Sequence, residues 1–243
     1  MTIKENRPGG FGNHKTHESH LNTDEKDQPI VLVSNPELRR LVQALQYAKI
    51  DWEKIFDNYF NEQFEAQRGL HSMQRGSIAE IALRYLLKKH CLASQKLQAD
   101  PIPDESKTVN YRFKYDKKGG LGVFSRERGI QVTEYDATVL VDDLPVVFEV
   151  KMSGKTTNGC LYDALKPNKV LGKVGPLAEY FGKNEFGYVV ATPSDLMREV
   201  DPYQVRFKAY GGILLPFFGS RQEYNRMISA LKEDYSLTIF RRT

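Results

Sequence analysis

Near the middle of the chain, apolar and polar residues alternate with a period of two. From Ile130 to Val141 the alternation predicts a strand with Ile130, Val132, Glu134, Asp136, Thr138 and Leu140 on one face. The next run places Val147, Glu149 and Lys151 on one face and Val146, Phe148, Val150 and Met152 on the other. Asp142-Asp143-Leu144-Pro145 between them reads as a turn, so the two runs are expected to form an antiparallel hairpin. A loop of Asp142 and Asp143 sets Val141 opposite Leu144 and Asp136 opposite Glu149, whereas a loop from Asp142 to Pro145 sets Asp136 opposite Lys151. Both registers gather Asp136, Glu149 and Lys151 on one face. A three-residue loop without a bulge separates them, because a slip of one residue reverses every side chain.

Helical spacing brackets this hairpin. Asn35-Pro36 supplies a cap and a first-turn proline to a helix with the stripe Leu38, Leu41, Val42 and Leu45. Asp51 caps a second, with Trp52, Ile55, Phe56, Tyr59, Phe60 and Phe64 on one face. Ile78, Ile81, Ala82, Tyr85 and Leu86 make the core stripe of a third, which leaves Glu80 on the other side beside Leu83 and Leu87. Tyr111, Phe113 and Tyr115 alternate as a strand, and Phe186–Thr192 and Gly212–Phe217 read as two more. Ser220-Arg-Gln-Glu223 is a capping box that opens a helix with Tyr224, Met227, Ile228 and Leu231, and Ser236–Phe240 reads as a last strand. Residues 1–29 are polar and expected to be disordered, 30–72 form an N-terminal helical segment, and 73–243 form the main domain. His14, His17 and His20 lie in that tail, where a solvated segment is the expectation rather than a metal site.

Composition narrows the class. Of the 243 residues 40% are hydrophobic and 27% charged, as in ordinary globular domains, and the apolar runs are far shorter than a membrane span. No signal-peptide pattern opens the sequence, and Cys91 and Cys160 form no redox or metal motif, so a cytoplasmic protein without a membrane partner is expected. The net charge of +4 is uneven. Between Lys151 and Lys183 six lysines face only Asp163 and Glu179, a local balance of +4.

The chemistry lies on the hairpin. Two carboxylates on one apolar strand face repel, and burying them is costly unless a cation lies between them. Ligation by oxygen alone suits Mg²⁺ or Mn²⁺. The ordinary alternatives are a solvated strand end and a cross-strand charge pair, against which stands the apolar setting of Val146–Met152. Glu134 shares the predicted face with Asp136 and reads either as a further ligand or, preferably, as a cap on the exposed end of the strand.

Asp136, followed by the apolar strand with Glu149-Val-Lys151, resembles the signature of the PD-(D/E)XK nuclease superfamily. The resemblance implies an α/β restriction-endonuclease-like fold, a mixed β-sheet flanked by helices, here with an N-terminal helical addition. It implies that Asp136 and Glu149 hold a Mg²⁺ or Mn²⁺ ion with help from the Val150 carbonyl, and that Lys151 orients the attacking water or stabilises charge on the phosphate. Gly76 followed by Glu80 on the preceding helix is similar to the pattern of several branches, in which that Glu completes the acidic cluster; a Glu80–Arg84 surface pair is the competing reading. Tyr135 replaces the proline of the signature. The implied activity is metal-dependent hydrolysis of DNA phosphodiester bonds, with a homodimer as one way of cutting two strands. A non-catalytic nucleic-acid-binding module of the same fold and an RNA nuclease are the alternatives, and two cysteines are too few for the iron–sulfur branch.

The Lys-rich segment follows this motif directly. A phosphate backbone approaching the hairpin is expected to run along Lys155, Lys166, Lys169 and Lys173. A solvated helix face is the plain alternative for each.

Overall fold

The computed structural model describes residues 29–55, 75–116, 119–154, 161–199 and 201–242. The expected disorder of residues 1–29 falls, but for Pro29, outside them, as do the three tail histidines, Lys155, and Phe56, Tyr59, Phe60 and Phe64.

Among the described residues the main elements follow one another as β1 (Val31–Leu32), α1 (Pro36–Gln46), α2 (Arg75–Leu92), β2 (Leu97–Ala99), β3 (Tyr111–Tyr115), β4 (Leu121–Ser125), β5 (Gln131–Tyr135), β6 (Ala137–Val141), β7 (Leu144–Val150), α3 (Leu161–Ala164), α4 (Pro167–Phe181), β8 (Glu185–Thr192), α5 (Ser194–Glu199), α6 (Asp201–Ala209), β9 (Ile213–Pro216) and α7 (Arg221–Arg242). Six strands make a mixed sheet in the order β1-β8-β7-β6-β2, with β9 also on β8; β7, β8 and β9 run parallel, and β6 and β2 antiparallel to their neighbours. A separate antiparallel sheet, β3-β4-β5, lies in front of it. The architecture is α/β, a mixed sheet flanked by helices.

Each face of the large sheet has its own core. Val146, Phe148, Val150 and Val189 meet Leu38, Leu41 and Leu45 of α1, Ala79, Leu83 and Leu87 of α2, and Tyr224 and Ile228 of α7. Val147, Tyr188, Val190 and Leu214 meet Val170, Val174 and Leu177 of α4, Phe207 of α6, and Phe113, Val123 and Tyr135 of the small sheet. Gly187 lets α1 come close, since a Cβ there would lie 2.8 Å from both Leu38 and Val146. The N-terminal segment is built into this sheet: β1 extends it along β8, and α1 covers it.

Local sequence accounts for several boundaries. Asn35 caps α1, its Oδ1 accepting from Leu38 N at 2.7 Å, with Pro36 in the first turn. Ser220 and Glu223 form the capping box of α7, Glu223 N donating to the Ser220 hydroxyl at 3.2 Å and Ser220 N donating to the Glu223 carboxylate at 2.7 Å. Two expectations are corrected. Ser236–Phe240 belongs to the end of α7, not to a strand: an alternation of five residues is too short to decide the period, and a helix already nucleated at its cap extends cheaply. The strand expected over Ile130–Val141 is broken at Asp136, with β5 in the small sheet and β6 in the large one. On α2 the buried face is wider than the predicted stripe, for Leu83 and Leu87 are buried while Ile81 and Tyr85 are only half-buried.

Candidate functional site

The hairpin closes through Asp142 and Asp143, both with positive φ (51° and 65°), as a tight two-residue turn of the primed type requires. Val141 therefore pairs with Leu144 and Ala137 with Phe148, the two-residue register, which sets Asp136 opposite Glu149 at the open end of the hairpin. All seven residues of β7 are buried, because β6 and β8 flank it and both sheet faces are covered. Lys151 continues the pairing past the end of β7: its N–H donates to the Ala191 carbonyl at 2.9 Å, and its own carbonyl accepts from the Thr192 hydroxyl at 2.8 Å. The side chain is thus held on the face of Glu149.

The break at Asp136 makes it a member of the site. Its Oδ2 accepts from Val150 N at 2.6 Å, and its carbonyl accepts from the buried Arg84 guanidinium of α2 at 2.7 Å. Glu149, only 1% exposed, lies between two ammonium groups: Lys151 Nζ is 3.0 Å from Oε2, and Lys173 Nζ of α4 pairs with Oε1. Lys173 also donates to the Glu134 carbonyl, and its own carbonyl accepts from the Tyr135 hydroxyl at 2.7 Å.

Burial and the charge of Glu149, with a smaller push from Glu80, drive the Asp136 carboxyl up to about 7, against the pull of Lys151 and of the Val150 N–H. Burial draws Lys151 down, but Glu149 and Asp136 outweigh it and hold the ammonium up at about 12. Burial and the same carboxylates raise the Tyr188 phenol on β8 well above its ordinary value. One lysine pair thus serves Glu149 while Asp136 keeps an unfavourable charge, a donor set to which a small hard cation is suited.

The predicted site residues divide into three groups. Asp136, Glu149 and Lys151 are brought together on one face, Glu149 buried and the other two half-buried, with the Val150 backbone at the same strand end. Glu80 stands half-buried on α2, near enough for its charge to act on Asp136 and Lys151, yet among the described residues no three His, Cys, Asp or Glu side chains converge as a metal-holding group. Arg84 is buried and donates to the Asp136 carbonyl, so it does not stand on the surface where the competing reading placed it. Glu134 points outward and accepts from the Gln131 amide at 3.1 Å, in keeping with its reading as an exposed strand end.

The lysines do not share one environment. Lys166 pairs with Asp163 at 2.6 Å, Lys169 is exposed, and Lys173 turns into the site. The role of Lys173 on Glu149 was not read from the sequence; its position four and seven residues after Lys169 and Lys166 on one helix face was the available signal. Beyond Lys151 an open cleft of about 970 Å³ runs between Met152–Gly154 and the Gln222, Asn225 and Arg226 side of α7. No sequence pattern pointed to it.

Neither a known protein family nor a curated protein matches the chain. Among solved structures, the crystal structure of protein VC1899 from Vibrio cholerae is similar over 66% of this chain at 13% identity, with a TM-score of 0.32. The chain spans about a third of that protein's length, 34%.

Proposed function

We propose that the protein is a metal-dependent nuclease of restriction-endonuclease-like fold that hydrolyses phosphodiester bonds in DNA. The observation that carries this reading is the juxtaposition of half-buried Asp136 and buried Glu149 across one hairpin, with Lys151 ion-paired beside them. A structural core has no use for this trio, since apolar residues of similar size in its place would be as stabilising or more so.

Asp136 and Glu149, with the Val150 carbonyl, are the residues that would hold Mg²⁺ or Mn²⁺. Such an ion, when bound, supplies Lewis-acid polarisation of the phosphate and a water of lowered pKa. Lys151 carries a full positive charge throughout the neutral pH range and directs it at the phosphate as negative charge accumulates. Its backbone bonds to Ala191 and Thr192 fix that direction before substrate arrives, so little reorganisation accompanies the reaction. Asp136 is held to Val150 N–H, which keeps one carboxylate oxygen turned toward the strand end. Exposed Lys169 and the cleft beside Met152–Gly154 offer the phosphate backbone two approaches.

A non-catalytic nucleic-acid-binding module draws support from one feature, the double lysine pairing that already neutralises Glu149. Incubating the protein with linear, circular and branched DNA, and with RNA, in Mg²⁺ or EDTA separates the readings. Cleavage of DNA in Mg²⁺, abolished by EDTA and by Asp136→Ala, is the expected result. Cleavage that persists in Asp136→Ala would overturn the site assignment, and binding without cleavage would leave the module reading.

A further inference from the structure

Both oxygens of Glu149 are taken by ammonium groups of different origin. Lys151 is two residues along the same strand extension, its backbone fixed by Ala191 and Thr192, and it reaches Oε2 at 3.0 Å. Lys173 comes from α4, 24 residues away in sequence, and takes Oε1 with the last atom of a flexible stem. Its ammonium is also bound to a backbone carbonyl, that of Glu134, and lies 5.9 Å from the centre of the Tyr135 ring. Its side chain is 23% exposed, against 1% for Glu149, so it has a way out to solvent that its partner lacks.

A carboxylate ligates a metal through the lone pairs that now accept from these lysines. An ion and Lys173 therefore compete for Oε1, like charges at one oxygen. Lys151 yields less readily, because Asp136 as well as Glu149 attracts its ammonium, while Lys173 is paired with Glu149.

Resting on the metal-dependent reading, we infer that Lys173 is a built-in counterion of the metal-free site, one that occupies Glu149 until a divalent cation displaces it and so sets the affinity of the site for metal. The fold gains a carboxylate that is never buried without a partner. The site gains a threshold: weak ions fail to displace the lysine. Once displaced, the ammonium lies on the helix face of Lys169 and is free to meet an anion bound to the metal.

The test is Mn²⁺ binding without substrate, by calorimetry and by the electron paramagnetic resonance of free Mn²⁺, in the full chain, in Lys173→Met, and in Lys169→Met as a control for the loss of one charge on the same helix face. Lys173→Met is expected to bind Mn²⁺ about tenfold more tightly than the parent or better, since one close repulsive charge is removed. Lys169→Met should stay within about twofold, its charge being exposed and screened. In thermal melts the metal-free Lys173→Met protein should unfold at a lower temperature than the parent, with the gap closing in Mn²⁺. If the variant is unfolded without metal, Mn²⁺ should restore its transition, as it should for Lys173→Gln, which keeps a donor but no charge; failure to restore either overturns the inference. Equal or weaker Mn²⁺ binding by Lys173→Met, with the parent binding normally, makes Lys173 a structural partner and leaves the metal reading intact. No Mn²⁺ binding by any of the proteins at millimolar concentration overturns both.

Discussion

The two faces of β7 are buried almost equally and made of different material. Val146, Phe148 and Val150 look into a core of aliphatic and aromatic side chains from α1, α2 and α7. Val147 and Glu149 look the other way, where Glu149 is as inaccessible as its apolar neighbours yet needs two lysines to be there. The apolar face gains from every methylene it hides, by about 0.8 kcal/mol each. On the other face the desolvation of Asp136 and Glu149 is offset only in part, and the high pKa of Asp136 is the residue of that imbalance. Equal burial thus stands for opposite effects on stability. A strand with one face built for packing and one held at a cost is the pattern of a functional site.

The difference can be broken most severely from the charged face. Glu149→Ala and Lys151→Ala are each expected to lower DNA cleavage by about 10²-fold or more, with Asp136→Ala and Glu149→Ala at the larger end, read as initial rates of plasmid nicking in Mg²⁺. Lys151→Ala should bind DNA in Ca²⁺ nearly as well as the parent, because its charge acts on what develops during reaction. A matched fall in affinity and rate would place Lys151 among ordinary backbone contacts.

From the apolar face the expected effect is on stability. Phe148→Ala, at a fully buried position, should lose about 3 to 5 kcal/mol in denaturant unfolding, transfer and cavity contributions together. Below its melting temperature its cleavage rate should stay near that of the parent. Loss of activity in a well-folded Phe148→Ala protein would show that the two faces are coupled.

Asp136→Asn sharpens the comparison through pH. The folded-state pKa of Asp136 is raised to about 7, above its value in an unfolded chain, so the folded protein binds the proton more tightly and this group favours folding at low pH. That contribution is lost as pH rises from about 4 to about 7. Metal-free Asp136→Asn should therefore melt above the parent at pH 8, by roughly 3 °C or more, and the advantage should vanish near pH 4. An unchanged difference across that range would mean that Asp136 is not strained in the native state.

The smallest effect belongs to the surface of α4. Lys169→Ala should flatten the dependence of log affinity on log salt by about one unit at most on duplex DNA, for unrelated sequences alike. An unchanged slope would make Lys169 a solvated residue and leave the cleft beside α7 as the approach for the phosphate backbone.

Much of this arrangement was legible in the chain because it is local. Alternation with a period of two assigned Glu149 and Lys151 to one face and kept Asp136 on it for either loop length, while the choice of the two-residue loop, which sets Asp136 opposite Glu149, came from the folded hairpin. The caps of α1 and α7 were equally readable, since a cap is a bond between residues three apart. The break between β5 and β6 was not, because nothing in a continuous alternation says that its first half pairs with another sheet; that partner, β4, was itself unseen in Leu121–Ser125, which has no polar alternation. α7 overran the strand expected at Ser236–Phe240 for the same kind of reason, helix extension against a weak local preference.

The sequence by itself therefore determined the hairpin and its trio of charged residues, through backbone geometry that acts over a few residues. Only the tertiary structure decided what surrounds them. The crossover from β7 to β8 carries α4 back across the sheet and delivers Lys173 to Glu149, and the packing of α2 brings Arg84 to the Asp136 carbonyl over 52 positions of sequence. A buried charge must find its partner wherever the fold can supply one, and spacing along the chain holds no record of that choice.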